Sequence, residues 1–329
     1  MGKLEGLYSR LNKENGERVC TDITDEACEK APHNFFTIIS CFSLSSIADA
    51  LSNPKTVMAW LMSYVNAPLF LISFIVPIRE SGAMLPQIFI AHLIRKKKIR
   101  KSVWLLGGIL QAVSMLAIAL FALYFEGFEA GLLMVIALIV FSISRALSSV
   151  ASKDVLGKTI PKTRRGRLQG LVTSVSGSIS MIAGLFLLFL KDTDNKLQYY
   201  VGFIFLAALL WFIGALLFSQ VKEFPEEYEE DKSGAKAVMA KLSLLKTDTK
   251  FRNFIITRSL LLCSALTAPY YVIFAQNNLG HSPVILGLFI VSNGLASIIS
   301  APLWGKKADE SSKSVMMRAA LITASLGFL

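Results

Sequence analysis

Arg79 and Glu80 stand side by side in the middle of an almost wholly apolar stretch, FLISFIVPIRESGAMLPQIFIA, residues 70–91. A charge at the centre of a lipid bilayer costs on the order of 2.5–3.5 kcal/mol even on the lenient insertion scale. A carboxylate beside positive charge that can move away is able to take up and release a proton. Glu80 is therefore a candidate proton-binding group, and Arg79 a candidate source of positive charge for a cavity.

Each of these two charges needs a partner on another segment, because neighbouring residues on a helix point about 100° apart. In one interpretation the charged side chains of the spans form a static network that holds the helices together, and those near the span ends only extend to the membrane interface. In the other, carboxylates face a water-filled cavity and change protonation as the cavity changes sides, with Glu80 the first candidate for this role and Asp49 the next. The polar residues that could take part in either network are Asp49, Lys55, Gln87, Arg145 and Arg258.

The elements that must position these residues are membrane-spanning helices. Hydrophobic residues make up 53% of the 329 residues, charged residues 17%, and the mean hydropathy is +0.55, whereas soluble domains hold about a quarter charged residues. The sequence shows neither the polar helix face of a soluble protein nor the alternation of a membrane barrel. It predicts an all-α, polytopic helical membrane protein. Besides a last run that begins near Ser314, the apolar runs of spanning length lie at about 36–64, 68–92, 102–125, 130–152, 168–190, 199–220, 253–276 and 283–304.

Lysine and arginine cluster in the connections on one side of the predicted spans. That side receives the tail to His33 and the basic segments at 95–101, 153–167, 222–252 and 305–313, whereas the opposite connections hold only Lys191 and Lys196. Such a bias marks the cytoplasmic side. It also accounts for the net charge of +11 without nucleic-acid binding. We therefore expect an integral, multi-pass protein of the bacterial inner (plasma) membrane with a cytoplasmic N-terminus.

The order of the spans predicts four regions and an internal repeat. A cytoplasmic N-terminal tail (1–33) precedes a six-helix bundle (34–220), a cytoplasmic central loop (221–252) and an incomplete second bundle (253–329). The segment NAPLFLISFIVPIRESGAMLP (66–86) is echoed by HSPVILGLFIVSNGLASIISAP (281–302), and a basic turn reading KSV follows each. The chain thus consists of two related halves joined by a loop.

Two segments show a resemblance to a known family. In GKKADESSK, Gly305, Asp309 and Lys313 follow the order of a signature loop between the second and third spans of a half: a glycine, an aspartate, then basic residues. In SRALSSVASKDVLGKTIPKTRRGRLQG, Arg145 takes the place of a fourth-span arginine ahead of a basic connection. Together with the two halves, these features resemble the major facilitator superfamily. The resemblance implies that Asp309 pairs with basic groups at neighbouring span ends and latches one conformation; a glycine helix end and an aspartate cap are compatible with that role.

The sequence also departs from the family pattern. The corresponding loop of the first half, HLIRKKKIRKS, lacks the glycine and the aspartate, and the fifth span lacks the Gly-Pro pair of drug antiporters. A family member needs about three more spans, so we expect the second half to be truncated.

The resemblance implies a secondary active transporter, a permease or symporter, that moves a small solute by alternating access with protons as coupling ion. It implies a monomer in the lipid bilayer, with no cofactor. Because Arg and Lys outnumber the acids in the spans, a small organic anion is favoured over a cation. The alternatives are a transport-inactive sensor or receptor on the same fold and a membrane-embedded enzyme. The scattered histidines and cysteines fit no catalytic or metal site, which argues against an enzyme.

Overall fold

The regular structure is helical throughout the part of the chain that the computed structural model describes, namely residues 6, 8, 23–95, 97–188, 196–225, 244–280, 284–296 and 312–327. Besides the α-helices, a short 3-10 helix occupies Ser264–Thr267. The α-helices are α1 Asp25–Leu51, α2 Val57–Tyr64, α3 Leu69–Ser73, α4 Ile75–Met84, α5 Gln87–Arg95, α6 Lys101–Tyr124, α7 Gly127–Thr159, α8 Lys162–Leu188, α9 Lys196–Phe218, α10 Leu244–Thr247, α11 Thr249–Cys263, α12 Ala268–Leu279, α13 Val284–Ala296 and α14 Ser312–Gly327.

Among the described residues, five helical segments are long and apolar enough to cross a bilayer, which confirms a polytopic helical membrane protein. One of them, Leu69–Ile94, combines α3, α4 and α5, and α8 covers the predicted fifth span. The helix of the first span begins at Asp25, well before the apolar run that predicted it. The five segments are Asp25–Leu51, Leu69–Ile94, Lys101–Tyr124, Gly127–Thr159 and Leu197–Phe218.

The first two spans are broken near prolines. Pro54 lies in the turn between α1 and α2, where the Asn53 side chain accepts a hydrogen bond from the Lys55 amide at 2.9 Å. Pro86 lies between α4 and α5. A proline has no amide hydrogen and its ring crowds the preceding turn, so a helix ends or bends there. The breaks place Asp49 and Glu80 close to irregular backbone.

Helix α6 shows how the bundle faces lipid. Its exposed apolar residues recur every three or four positions and form one stripe, whereas Gly107, Gly108 and Gln111 lie among the buried residues of the other face. A helix that is apolar on its outer face suits a hydrocarbon surrounding rather than water. The outer stripe consists of Leu106, Ile109, Val113, Leu116 and Leu120.

Two hydrophobic clusters fill the first bundle, one above the other along its axis. On α6, Trp104 belongs to one cluster and Met115 to the other, and on α7 the same holds for Ala146 and Phe141. The polar residues Gln111 and Arg145 fall between these positions. The bundle therefore contains a polar layer at the boundary between its two apolar cores.

The end of the bundle that holds the loop 97–100 and the α7–α8 connection, here called the basic end, is fastened by Glu223. This buried carboxylate follows α9 and accepts hydrogen bonds from the backbone N–H groups of Arg100 (2.9 Å) and Lys101 (2.7 Å) at the start of α6. Lys158 of α7 lies 3.7 Å from the same carboxylate. A negative charge at a helix N-terminus satisfies unpaired amides and the helix dipole, so Glu223 ties α9, α6 and α7 together.

The second half of the chain contacts the first through α12. This helix packs against α2 and α3. The Tyr270 hydroxyl lies 2.6 Å from that of Ser73, and the amide of Gln276 donates to the Trp60 carbonyl at 3.2 Å. These contacts lie toward the end of the bundle opposite the basic end, because α2 and α3 flank the turn into the second span.

Candidate functional site

Three charged side chains from three helices meet in the polar layer. Arg79 Nη2 on α4 donates to Asp49 Oδ1 at 2.8 Å, and Arg145 Nη2 on α7 donates to Asp49 Oδ2. Each oxygen of the α1 carboxylate thus has a different guanidinium partner. The exposed fractions of the Asp49, Arg79 and Arg145 side chains are 23%, 15% and 30%, so the group is only partly buried. We call these residues the Asp49 triad.

The positions of the triad follow from the helices that present it. Asp49 occupies the last turn of α1, immediately before the break at Pro54. Arg79 lies on α4, which packs along α7, and its guanidinium lies over the ring of Phe141 at 4.6 Å from the centroid. An aromatic face attracts a cation placed in this way. Phe141 in turn contacts Trp211 of α9 edge to face, at 4.9 Å between centroids.

Glu80 and Lys55, both singled out from the sequence, form a separate pair. Their charged atoms are 3.6 Å apart, and their side chains are 50% and 36% exposed. The structure therefore separates the two acids of the predicted network, since Asp49 has two arginine partners and Glu80 has one exposed lysine.

Sequence reasoning missed two residues of the polar layer, Gln111 and Ser148. The Gln111 side chain is 2% exposed and donates to Ser148 Oγ at 2.9 Å and to the Gly107 carbonyl at 3.0 Å. Its oxygen accepts a longer hydrogen bond, 3.4 Å, from Arg145. The available signal was a lone glutamine in the otherwise apolar run GGILQAVSM, because a buried amide needs partners to offset its desolvation.

A pocket of about 200 Å³ opens beside the triad, between α1, α6, α7 and α8. Arg145 and Gln111 form the part of its wall nearest the triad. The rest of the polar lining is rich in serine, and none of the described lining residues is an aspartate or a glutamate. Its lining consists of Phe42, Ser45, Ser46, Trp104, Gln111, Arg145, Ser148, Ser149, Ser152, Gln169 and Val172.

The other residues predicted for the solute or proton path are less closely connected. Gln87 donates to the Ala83 carbonyl at 2.7 Å and to Ser149 Oγ at 3.4 Å, which places it beside the pocket. Arg258 is exposed on α11 and forms no ion pair with a described residue. The predicted latch residues Gly305 and Asp309 lie outside the described residues; Lys313 belongs to α14, and its side chain is likewise outside them.

The charges of the triad do not cancel. One carboxylate and two guanidinium groups leave a net charge of +1, and the Lys55–Glu80 pair adds nothing to it. Within a membrane such an excess is unfavourable unless water, a solute or another group balances it. The polar layer can therefore attract an anion.

Helical spans around an ionic layer define a multi-pass helical membrane protein. Comparison with known families identifies the family to which the chain belongs. The sequence profile of the Major Facilitator Superfamily matches residues 37–329. The chain belongs to the Major Facilitator Superfamily, and it is a secondary transporter. Among curated proteins, no sequence matches.

A crystal structure shows the same fold. The chain is similar to that of a D-xylose–proton symporter, with a TM-score of 0.57 over 84% of this chain and 69% of the other. The identity is 15%, so the likeness concerns the arrangement of the helices and leaves the solute open.

Proposed function

We propose that this protein is a proton-coupled secondary transporter that moves a small organic anion by alternating access, with Asp49 as the coupling carboxylate. The observation that supports the proposal is the binding of both Asp49 oxygens by arginines from two other helices. A proton on Asp49 removes the charge to which both guanidinium groups are bound. Protonation of Asp49 and release of α4 and α7 from α1 are therefore thermodynamically linked.

Asp49 fits the coupling role better than Glu80, the first candidate from the sequence. Glu80 is half exposed, and its charged partner Lys55 lies at 3.6 Å. Loss of its charge changes one ion pair, whereas loss of the Asp49 charge frees two arginines on different helices. Glu80 is thus the natural comparison in any test of coupling.

Contacts between the two halves support alternating access. The hydroxyls of Tyr270 and Ser73 meet at 2.6 Å, and Val272 and Gln276 on the same helix are buried. A transporter of this family alternates by rocking one half against the other around a central site. We assign these contacts to the closed, outer side of an inward-facing state, with the basic end cytoplasmic according to the positive-inside bias.

The proposal also covers the location of the protein, its oligomeric state and the charge of its solute. The protein functions as a monomer in the inner (plasma) membrane of a bacterium, with its N-terminus in the cytoplasm. The net charge of +1 in the triad favours an anionic solute over a cationic one. In a complete member of the family the two repeated halves of one chain bring their helices to the site, so one complete chain suffices for transport.

Reconstituted, full-length protein tests the proposal. Liposomes loaded with a pH-sensitive dye are exposed to a panel of small anions, and entry of a coupled solute changes the internal pH. Asp49→Asn should abolish accumulation driven by the proton gradient while solute exchange across the membrane continues, because the uncharged amide imitates the protonated state. Glu80→Gln is the matched control and should retain accumulation. Accumulation by Asp49→Asn with unchanged pH dependence would contradict the role of Asp49, and solute binding without any flux would indicate a sensor.

A further inference from the structure

Tyr8 is a buried residue of the N-terminal tail. Its side chain is 6% exposed, and its ring meets that of the fully buried Phe35 on α1 edge to face, with the ring centroids 5.2 Å apart. The backbone is helical at Gly6 and at Tyr8. An edge-to-face aromatic pair contributes about 0.5–1.5 kcal/mol beyond the burial of its surface. At Tyr8 the predominantly polar tail is therefore docked on the first bundle.

Tyr8 docks at the basic end of the bundle. Its partner Phe35 follows Asn34, whose side chain exchanges two hydrogen bonds with the backbone of Lys222, at 2.9 and 2.8 Å. Lys222 immediately precedes Glu223, the carboxylate that fastens the basic end. The contact between Tyr8 and Phe35 is therefore at the same end of the bundle as the Glu223 carboxylate.

The face of α1 that Tyr8 contacts leads to the Asp49 triad. Phe35, Phe42 and Asp49 are spaced seven residues apart, and seven residues are close to two helical turns, so the three side chains share one face. Each of these steps covers about 10 Å along the helix axis. Phe42 lines the pocket beside Arg145. Tyr8, the pocket and the triad therefore follow one another along α1 from the basic end inward.

The apolar part of the pocket wall belongs to the hydrophobic cluster that contains Tyr8. Trp104 on α6 and Val172 on α8 line the pocket and are buried members of this cluster, and Phe42 on α1 packs against it. Val155 on α7 is a further member, so all four helices around the pocket contribute to the cluster. Tyr8 is thus part of the packing that separates the pocket from the solution at the basic end.

Docking of Tyr8 is weak enough to be reversible. Full burial of a large apolar side chain contributes about 1.5–3 kcal/mol, whereas fixing the backbone of each residue around it costs about 1–2 kcal/mol. For a segment of a few residues these two terms nearly cancel. The tail can therefore alternate between a docked and an undocked state.

We propose that the tail at Tyr8 is an autoinhibitory plug. Docked on Phe35, it keeps water and small ions at the basic end from entering the pocket beside Arg145, and its release opens that path. The inhibitory purpose rests on the proposed function, because Arg145 binds the carboxylate that is assigned the coupling proton. Docking then slows the exchange of that proton with the solution at the basic end. Closure of the pocket is a separate property and can be measured without transport.

Hydroxyl-radical footprinting of the purified, full-length protein tests the inference. Radicals formed in water oxidise the side chains that water reaches, and mass spectrometry gives the oxidation rate of each residue. Tyr8→Ala removes the aromatic pair and should raise the oxidation rate of Trp104 in the pocket by about two- to tenfold. Tyr8→Phe keeps the ring and should raise it less. Tyr124→Ala is the matched control, because Tyr124 is exposed at the other end of α6, and it should leave the rate unchanged.

Trp60 and Trp211 are internal references, because both are buried and neither is a lining residue of the pocket. Their oxidation rates should stay the same in Tyr8→Ala. The inference is overturned if Trp104 is oxidised equally fast in Tyr8→Ala and in the unmodified protein. It is also overturned if all three tryptophans become more reactive together, because that result means a general loosening of the bundle.

Proton-coupled flux in liposomes tests the inhibitory purpose of the plug. Tyr8→Ala should transport faster than the unmodified protein, and an unchanged rate with an open pocket would contradict autoinhibition. Absence of flux in every variant would count against the proposed function and not against the plug. Footprinting needs neither solute nor proton gradient, so a negative result there leaves the Asp49 flux experiment intact.

Discussion

Arg79 is the residue whose removal most directly tests how the Asp49 triad is built. Its guanidinium combines a 2.8 Å bond to Asp49 with the face of Phe141 at 4.6 Å. Arg79→Ala removes a charge-assisted hydrogen bond and a cation–π contact, so it should lower the free energy of unfolding by about 2–3 kcal/mol. Thermal unfolding of the detergent-solubilised protein measures the change.

Arg258→Ala is the control for that experiment. Arg258 is an arginine in a predicted span as well, yet it is exposed and has no ion pair with a described residue. Its removal should change the stability by no more than about 0.5 kcal/mol. Equal effects of the two substitutions would mean that the triad does not hold α4 against α1.

The sequence identified the charged residues of the polar layer but could not pair them. Helical periodicity shows that Arg79 and Glu80 point in different directions, yet it does not show which helix lies opposite each of them. That choice depends on how α1, α4 and α7 pack, and packing is set by contacts between residues distant in the chain. Gln111 escaped notice for the same reason, since its partner Ser148 lies on another helix.

At the scale of the helices, Glu223 joins three elements at the basic end of the bundle. Its buried carboxylate accepts from two backbone amides of α6 and lies 3.7 Å from Lys158. Glu223→Gln keeps the size but replaces an acceptor by a donor group facing those amides. We expect a loss of about 1.5–3 kcal/mol in the free energy of unfolding, measured as a lower melting temperature.

Glu126 provides the comparison for Glu223. It too stands at a helix N-terminus, that of α7, but it is exposed and its side chain makes no capping hydrogen bond. Glu126→Gln should therefore be close to neutral. A Glu223→Gln protein as stable as the Glu126→Gln protein would show that the carboxylate does not fasten the helices.

Gly107 allows α6 and α7 to approach closely. A Cβ atom there would lie 2.8 Å from the Ser144 carbonyl oxygen and 3.0 Å from the Ser148 amide nitrogen. Gly107→Ala should force the helices apart and destabilise the protein by about 1–3 kcal/mol, with disturbance of Ser148 in the pocket. Gly202→Ala on α9 meets nothing within 4 Å and should be neutral or stabilising. If circular dichroism gives both variants the same melting temperature, the close approach of α6 and α7 is not required.

Element boundaries were only partly predictable. A missing amide hydrogen is a local property, and helices do end near Pro54 and Pro86, yet Pro32 lies inside α1, so proline alone does not locate a break. In contrast, Glu223 lies at the start of a polar segment that reads as a loop, and its burial depends on Arg100 and Lys101 more than a hundred positions earlier in the chain. From the sequence, such a residue is predicted to lie in solvent, because only the fold brings it to the N-terminus of α6.

At the scale of the whole molecule, the contact between Tyr270 and Ser73 is proposed to hold the outer side closed. Tyr270→Phe removes this hydrogen bond and should shift the population toward the outward-open state by about two- to tenfold. A cysteine introduced at the buried Val272, in a background without the native thiols, reports the change as faster labelling by an impermeant thiol reagent from outside.

Tyr271→Phe is the control for that shift. Tyr271 is 58% exposed on the same helix and has no hydrogen bond with a described residue. It should leave the labelling rate unchanged. Labelling that is equally slow in both variants would show that the Tyr270 hydroxyl does not contribute to closure.

The central claim is that Asp49, held by Arg79 and Arg145, is the group that takes up the coupling proton. Infrared difference spectroscopy of the reconstituted protein tests it most directly, because lowering the pH converts an ionised carboxylate into a carboxylic acid with its own C=O band. The account predicts that the band of the coupling acid disappears in Asp49→Asn and persists in Glu80→Gln. A band that persists in Asp49→Asn and disappears in Glu80→Gln would contradict it.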